Sequence, residues 1–206
     1  MTSPDPRARD RGDGSAPPLR KGDRTRLRIL EAARRQFGRH GYELATIRGI
    51  AADANVDKAS VMKHFGSKQD LFRAAVHWSI PIDELTTDDP GRSAENYLTS
   101  MLAGWAAIPD HPMSVLLRAS MTSEDAAGML TGHLTAEVVD RVAASLDGPD
   151  ARLRAALFAS FMTGLVSQRH MLRLPDLADA DVDDVIRIAA PAVQALLGSV
   201  SGQASG

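Results

Sequence analysis

The chain has no cysteine. It therefore forms no disulfide, offers no thiolate to a metal and holds no cysteine nucleophile; the absence also fits a reducing compartment. Aromatic residues are scarce, at 4% of 206 positions. An all-β sandwich fills its strands with aromatic and β-branched residues, so this scarcity counts against one. Alanine and leucine, both strong helix formers, stand in their place. No apolar run reaches the roughly 18 residues of a membrane span. Residues 1–19 carry Pro4, Pro6, Pro17 and Pro18 among polar residues and lack the apolar segment of a secretory signal. A cytoplasmic protein is therefore expected. Also missing are the Gly-x-Ser-x-Gly elbow of hydrolases, a phosphate-binding loop and the Gly-x-Gly-x-x-Gly fingerprint of dinucleotide enzymes. His111, His133 and His170 have no partner at helical spacing, so no metal site is expected. These gaps leave no catalytic residue and no cofactor to assign.

What is present is unevenly charged. Residues 20–70 hold 12 Lys/Arg against 6 Asp/Glu, whereas residues 71–206 hold 9 against 17. A small basic segment joined to a larger acidic one points to one part that meets a polyanion and one that does not.

The apolar pattern is helical throughout. Leu27, Leu30, Ala33 and Phe37 recur at spacings of three and four, and Ile29 widens the stripe. Gly41 can end this first helix in the left-handed conformation. Thr46 caps a second helix over 47–54, and Asp57 a third through Phe65. Gly66 ends the third. Ser67 caps a fourth, with Leu71, Phe72, Ala75 and Val76 on its apolar face and Pro81 as its stop. Further helices are expected at about 93–107, 113–121, 123–146, 151–173 and 181–198, punctuated by Pro109, Pro112, Gly148, Pro149 and Pro175. No internal repeat or period-2 run appears.

Residues 46–65, TIRGIAADANVDKASVMKHF, carry the sharpest signal. Two short helices that cross closely need a small residue at the contact, and Ala51 supplies it. The chain must then turn sharply, and Asn55 tolerates the positive φ of such a turn. Val56 and Val61 fill the wedge between the helices. This is a helix-turn-helix, whose second helix enters the DNA major groove. A plain corner between two core helices would share the packing. It would not need the cationic surface made by Arg48, Lys58, Lys63 and His64.

The wider run, residues 24–76, resembles the DNA-binding domain of the tetracycline-repressor (TetR) family of bacterial transcription regulators. The resemblance rests on ILEAA…F…HGYE, then T-x-R-x-IA, V-x-K-x-S-V and HFGSK-x-x-LF, in order and without gaps. Two positions depart from the family pattern: Asn55 stands where glycine is usual, and Met62 where tyrosine is usual. The second departure keeps apolar contact and loses a hydroxyl donor. By position, the resemblance implies that Arg48, Lys58, Ala59, Met62 and Lys63 face base edges or thymine methyls. It implies phosphate contacts for Thr46, Ser60, His64 and Lys68. Arg20, Lys21, Arg24, Arg26 and Arg28 form either a basic arm for the minor groove or a solubilising tail.

The resulting expectation is an all-α chain. Residues 1–19 and 201–206 are disordered tails, 20–66 a three-helix helix-turn-helix domain, 67–80 a connecting helix, and 81–200 a helical ligand-binding and dimerisation domain. The family resemblance implies a pocket for a small apolar ligand. Trp78, Met101, Trp105, Met113, Leu117, Met121, Phe158, Phe161 and Met162 are its candidates, since methionine suits varied apolar ligands; plain core is the other reading of the same stripe. Small residues in 151–198, among them Ala155, Ala156, Ala159, Gly164, Ala189, Ala190 and Ala192, allow close packing of two helices per subunit into a homodimeric bundle; packing of the same helices within one chain is the other reading. Pro191 should kink the last helix or begin a fresh segment. Together these readings imply a repressor of a palindromic operator, released by its ligand. An activator and a ligand-free architectural DNA-binding module are the alternatives, and an enzyme is disfavoured.

Overall fold

The computed structural model describes residues 20–108 and 111–198. The expected tails, 1–19 and 201–206, lie outside the described residues, as does Pro109. The chain is all-α, with no strand among the described residues. The first half runs α1 (Lys21–Leu44), α2 (Ile47–Asp53), α3 (Lys58–Phe65) and α4 (Lys68–Ala75). Then come α5 (Ile82–Leu85), α6 (Pro90–Ala107), α7 (Pro112–Ser120) and α8 (Glu124–Leu134). A π-helical turn, Thr135–Val139, joins α8 to α9 (Asp140–Ala144). A second, Ser167–Met171, extends α10 (Ala151–Val166), and α11 (Pro175–Ala178) and α12 (Val182–Leu197) complete the fold.

Local chemistry sets the starts of these helices. Thr46 Oγ accepts the Gly49 N–H at 3.0 Å, and Ser67 Oγ accepts the Asp70 N–H at 3.0 Å. Asp89 accepts the Gly91 N–H at 2.9 Å, with Pro90 pre-set at the first helical position. That cap starts α6 three residues earlier than the apolar pattern predicts. Asn55 takes φ 50° between α2 and α3, the turn that the helix-turn-helix requires.

Three expectations need correction. The connecting helix was expected over 67–80, but α4 stops at Ala75. Arg34 Nε donates to the Ala75 carbonyl at 2.7 Å, satisfying one of the carbonyls that a helix end leaves open. Leu27, assigned to the inner stripe, is 44% exposed, because Ile29 and Leu30 define the buried face of α1. Gly41 has positive φ but ψ 172°, an extended kink after which one more helical turn forms. In addition, α12 continues through Pro191, and the basic residues Lys21 to Arg28 belong to α1.

The first core joins the helix-turn-helix to the second half of the chain. Phe37, Ile50, Val61, Leu71 and Phe72 pack in one cluster with Val115, Leu116 and Ala119 of α7 and Ala126 and Leu130 of α8. Phe37, Tyr42 and Phe72 form its aromatic centre, with Phe72 ring centroids 4.9 and 4.8 Å from the other two. A second core packs α6, α10 and α12 through Leu98, Phe158 and Val193. Buried Arg154 closes its end by donating to the carbonyls of Asp147, Leu196 and Gly198.

Between the two cores lies a third cluster around Trp105, Met113 and Val166. The His111 ring stacks on Trp105 at 4.7 Å, and His170 lies on Trp105 at 5.7 Å. His133 meets Trp78 at 3.8 Å and His77 at 5.9 Å. The Nε2 atoms of His133 and His170 are buried without a hydrogen-bond partner. Burial lowers the basicity of all three inner histidines, most for His111, which falls to about 4. Arg34 and then His170 add to that effect at His111.

A histidine held below its free value binds fewer protons folded than unfolded. Stability should therefore fall as pH drops from about 6.5 towards 4, and level off for this group below that range. Urea unfolding at pH 7, 6 and 5 measures the slope. His111→Asn keeps an N-capping acceptor for α7 and should flatten the slope; an unchanged slope would remove His111 as its source.

Candidate functional site

Two regions carry chemistry. The first is the outer face of α2 and α3. Asp57 Oδ1 accepts the Ser60 N–H and holds α3 at its start, and these bonds keep the Asp57 carboxyl below the usual carboxylate range. Val61 is buried, so α3 pins one side to the core and turns the other outward. Lys58, Ala59, Met62 and Lys63 are exposed along that outer side, and Arg48 and Thr46 are exposed beside them. Ser60 and His64 are half-buried at its edge. None of the ion pairs among the described residues engages Arg48, Lys58 or Lys63. Lys68 differs: its Nζ donates to the Glu43 carbonyl at 3.0 Å and lies 4.7 Å from the Tyr42 ring centroid. It ties the end of α1 to α4. Arg26 sits 5.1 Å over Phe65, so part of the N-terminal charge is held against the end of α3.

Gly49 matters to this face. A Cβ there would meet Thr46 Oγ1 at 3.2 Å and Gln36 Oε1 at 3.3 Å. Gln36 in turn donates to Asp53 at 2.8 Å, which fixes the angle of α2 against α1. The absence of a side chain at 49 thus lets α2 lie close to α1.

The second region is a cavity of about 430 Å³ between the first and second cores. Six of the nine expected ligand residues line it: Trp78, Met101, Trp105, Met113, Phe158 and Met162. The other three do not. Leu117 packs against the first core, Phe161 packs against the second, and Met121 is 77% exposed beyond the end of α7. The cavity also takes in residues that the sequence reading left out, chiefly Arg34, His77, Ile80, Tyr97, His111, Leu134 and Val166. Its polar points are few. Tyr97 already shares its hydroxyl with Thr86, and His111 Nδ1 accepts the Met113 N–H at 3.2 Å. Among the described residues no aspartate or glutamate lines the cavity.

Both π-helical turns lie beside it. Leu134 and Val138 flank or belong to the first, and Val166 immediately precedes the second. A wide turn shifts the register of a helix and redirects the side chains that follow, and such turns are frequent at functional sites. No group of three or more His, Cys, Asp or Glu among the described residues could hold a metal ion, and no helix among them is long and apolar enough to cross a membrane.

Comparisons with known proteins agree with both regions. Residues 29–75 match the model of bacterial regulatory proteins of the tetR family, and residues 92–197 match the tetracyclin repressor-like C-terminal domain. A relative is the HTH-type transcriptional regulatory protein RaaS of Mycobacterium tuberculosis, 35% identical over 131 residues. The match covers 63% of this chain and 59% of that protein. A crystal structure of a TetR-family regulator from Streptomyces coelicolor A3 is 28% identical, with a TM-score of 0.63 over 88% of this chain and 99% of that one. The SmeT–triclosan complex shares the fold at 19% identity, with a TM-score of 0.67 over 88% of this chain and 98% of that one. The C-terminal model alone spans just over half of the sequence, and with the N-terminal model ahead of it the chain belongs to the tetR family of bacterial regulatory proteins.

Proposed function

We propose that this protein is a cytoplasmic, non-enzymatic transcriptional repressor that binds a palindromic operator as a homodimer and leaves it when a small apolar molecule fills the cavity. One observation carries the reading. The cavity wall includes Arg34 of α1, a helix whose opposite turns pack the DNA-facing helices, so a ligand there touches both halves at once. The repressor polarity takes its support from the tetracyclin repressor-like C-terminal match, and a ligand in such a fold from the triclosan complex of SmeT.

On DNA, Arg48, Lys58 and Lys63 approach base edges, with Ala59 and Met62 against thymine methyls. Thr46, Ser60, His64 and Lys68 approach phosphates. Free cations suit guanine O6 and N7, and each good bidentate base contact discriminates by roughly 1–3 kcal/mol. Dimerisation takes its support from two exposed apolar stripes. Leu153 and Leu157 on α10 are 63% and 48% exposed, and Ile188 on α12 is 69% exposed with exposed Ala192 and Ala195 along the same helix. Two such helices from each subunit make a four-helix interface about a two-fold axis.

Three measurements test these statements. Arg48→Ala should weaken operator binding about 10- to 100-fold and random duplex far less, whereas Lys68→Ala should weaken both alike and lower the salt slope by about one. Equal losses on both duplexes for Arg48→Ala would take it out of the base-reading set. Analytical ultracentrifugation should find a dimer at micromolar concentration that Leu157→Glu converts to a folded monomer; a wild-type monomer refutes the interface. For the switch, effector binding should lower operator affinity roughly 5–150-fold, the range of ordinary allosteric coupling. A molecule that fills the cavity and leaves operator affinity unchanged would sink it.

A further inference from the structure

The cavity has an end that is not apolar. Arg34 reaches it from α1, and only Nε is committed, to the Ala75 carbonyl at 2.7 Å. Its two Nη groups hydrogen-bond to no other described residue, and no carboxylate pairs with it among the described residues. Burial lowers the guanidinium below its ordinary value, and Glu31, one turn earlier on α1, opposes that shift. His111, also in the lining, is held neutral at pH 7 by burial, by Arg34 and by His170. Among the described residues of the lining the one permanent charge is positive.

We propose that the effector is an amphipathic organic anion: a carboxylate held by the Nη groups of Arg34, on an aromatic or aliphatic body seated among Met101, Phe158 and Met162. This assignment rests on the ligand-release reading above and narrows it. The guanidinium fork matches a carboxylate in geometry as well as charge, and a charge-assisted pair out of bulk water is stronger than a neutral hydrogen bond. A cationic ligand would meet the guanidinium with no carboxylate among the described lining residues to offset the repulsion. An uncharged ligand would leave both Nη groups of this half-buried cation without a hydrogen-bond partner in the cavity. The volume, about 430 Å³, suits a small drug-sized molecule.

The same pair supplies the coupling. Because Nε stays on Ala75, a bound carboxylate extends a chain of contacts from the cavity through Arg34 to the last turn of α4. Ala33 and Phe37 on α1 pack in the first core with Val61 of α3. A ligand that repositions Arg34 thus acts on the elements that carry the DNA face. It favours release only if it binds the non-docking arrangement better than the docking one.

The test uses three probes of one shape: 4-phenylbutyrate, 4-phenylbutanol and 4-phenylbutylammonium. The full chain holds two tryptophans, and both line the cavity, so their emission reports occupancy. The acid should bind at least about tenfold more tightly than the alcohol, and the ammonium most weakly. Arg34→Gln keeps an amide donor near Ala75 and should erase the acid's advantage while leaving alcohol binding unchanged; Arg34→Lys should restore most of it. Circular dichroism and ligand-free operator binding check that both variants fold. Equal binding of acid and alcohol by the wild type overturns the anion while leaving the cavity reading intact. So does an acid preference that survives Arg34→Gln. Selective acid binding without operator release keeps the ligand class and overturns the switch. No emission change with any probe at millimolar concentration overturns both.

Discussion

α4 ends at Ala75, whose carbonyl accepts from Arg34 Nε of α1. Ile80, before Pro81, is pushed towards extended backbone, and Pro81 offers no N–H at all. The Phe37–Tyr42–Phe72 cluster holds α4 against α1. The chain therefore leaves α4 as a non-helical stretch and carries Trp78 sideways onto His133. From that single stop follow the position of Trp78, one wall of the cavity and the junction between the two halves.

The junction stays open for a physical reason. Its lining mixes flexible methionines and aromatic rings with branched aliphatics such as Ile80, Leu134 and Val166. His111 contributes a flat ring that burial keeps neutral at pH 7. The π-helical turns at Thr135–Val139 and Ser167–Met171 bend the register of the surrounding helices around this space. A continuous α-helix through 123–146 or 151–173 would present different side chains to it.

Much of this was legible in the residues. The helix-turn-helix was, because Thr46, Asp57 and Ser67 cap at the right intervals and Asn55 marks the turn. Proline and glycine punctuation located the long helices of the second half to within a few residues. The π turns were not legible, since helical periodicity does not distinguish a wide turn from an α turn over five residues. Leu117, Met121 and Phe161 shared the composition of the ligand candidates, but composition does not say which of two cores a side chain joins. Arg34 was the instructive omission. It follows Leu30 by four residues and precedes Phe37 by three, so the helical period puts it on the buried face. The sequence reading counted it only within the basic excess of residues 20–70. His111, directly before Pro112, likewise carried the signature of a helix start rather than of a stray histidine.

The first core bears on how such a regulator can be taken apart. Val115, Leu116 and Ala119 of α7 and Ala126 and Leu130 of α8 are as much part of it as Phe37 or Phe72. Cutting the chain after α4 would strip that cover and open apolar surface to water on the underside of the DNA-facing helices. The reading head is therefore no cassette: a chimaera that grafts residues 20–80 onto a foreign sensor must bring α7 and α8 along, or supply a surface of the same shape. The same sharing limits drift over evolutionary time, because a volume change on α7 must be answered inside the half of the protein that reads the operator.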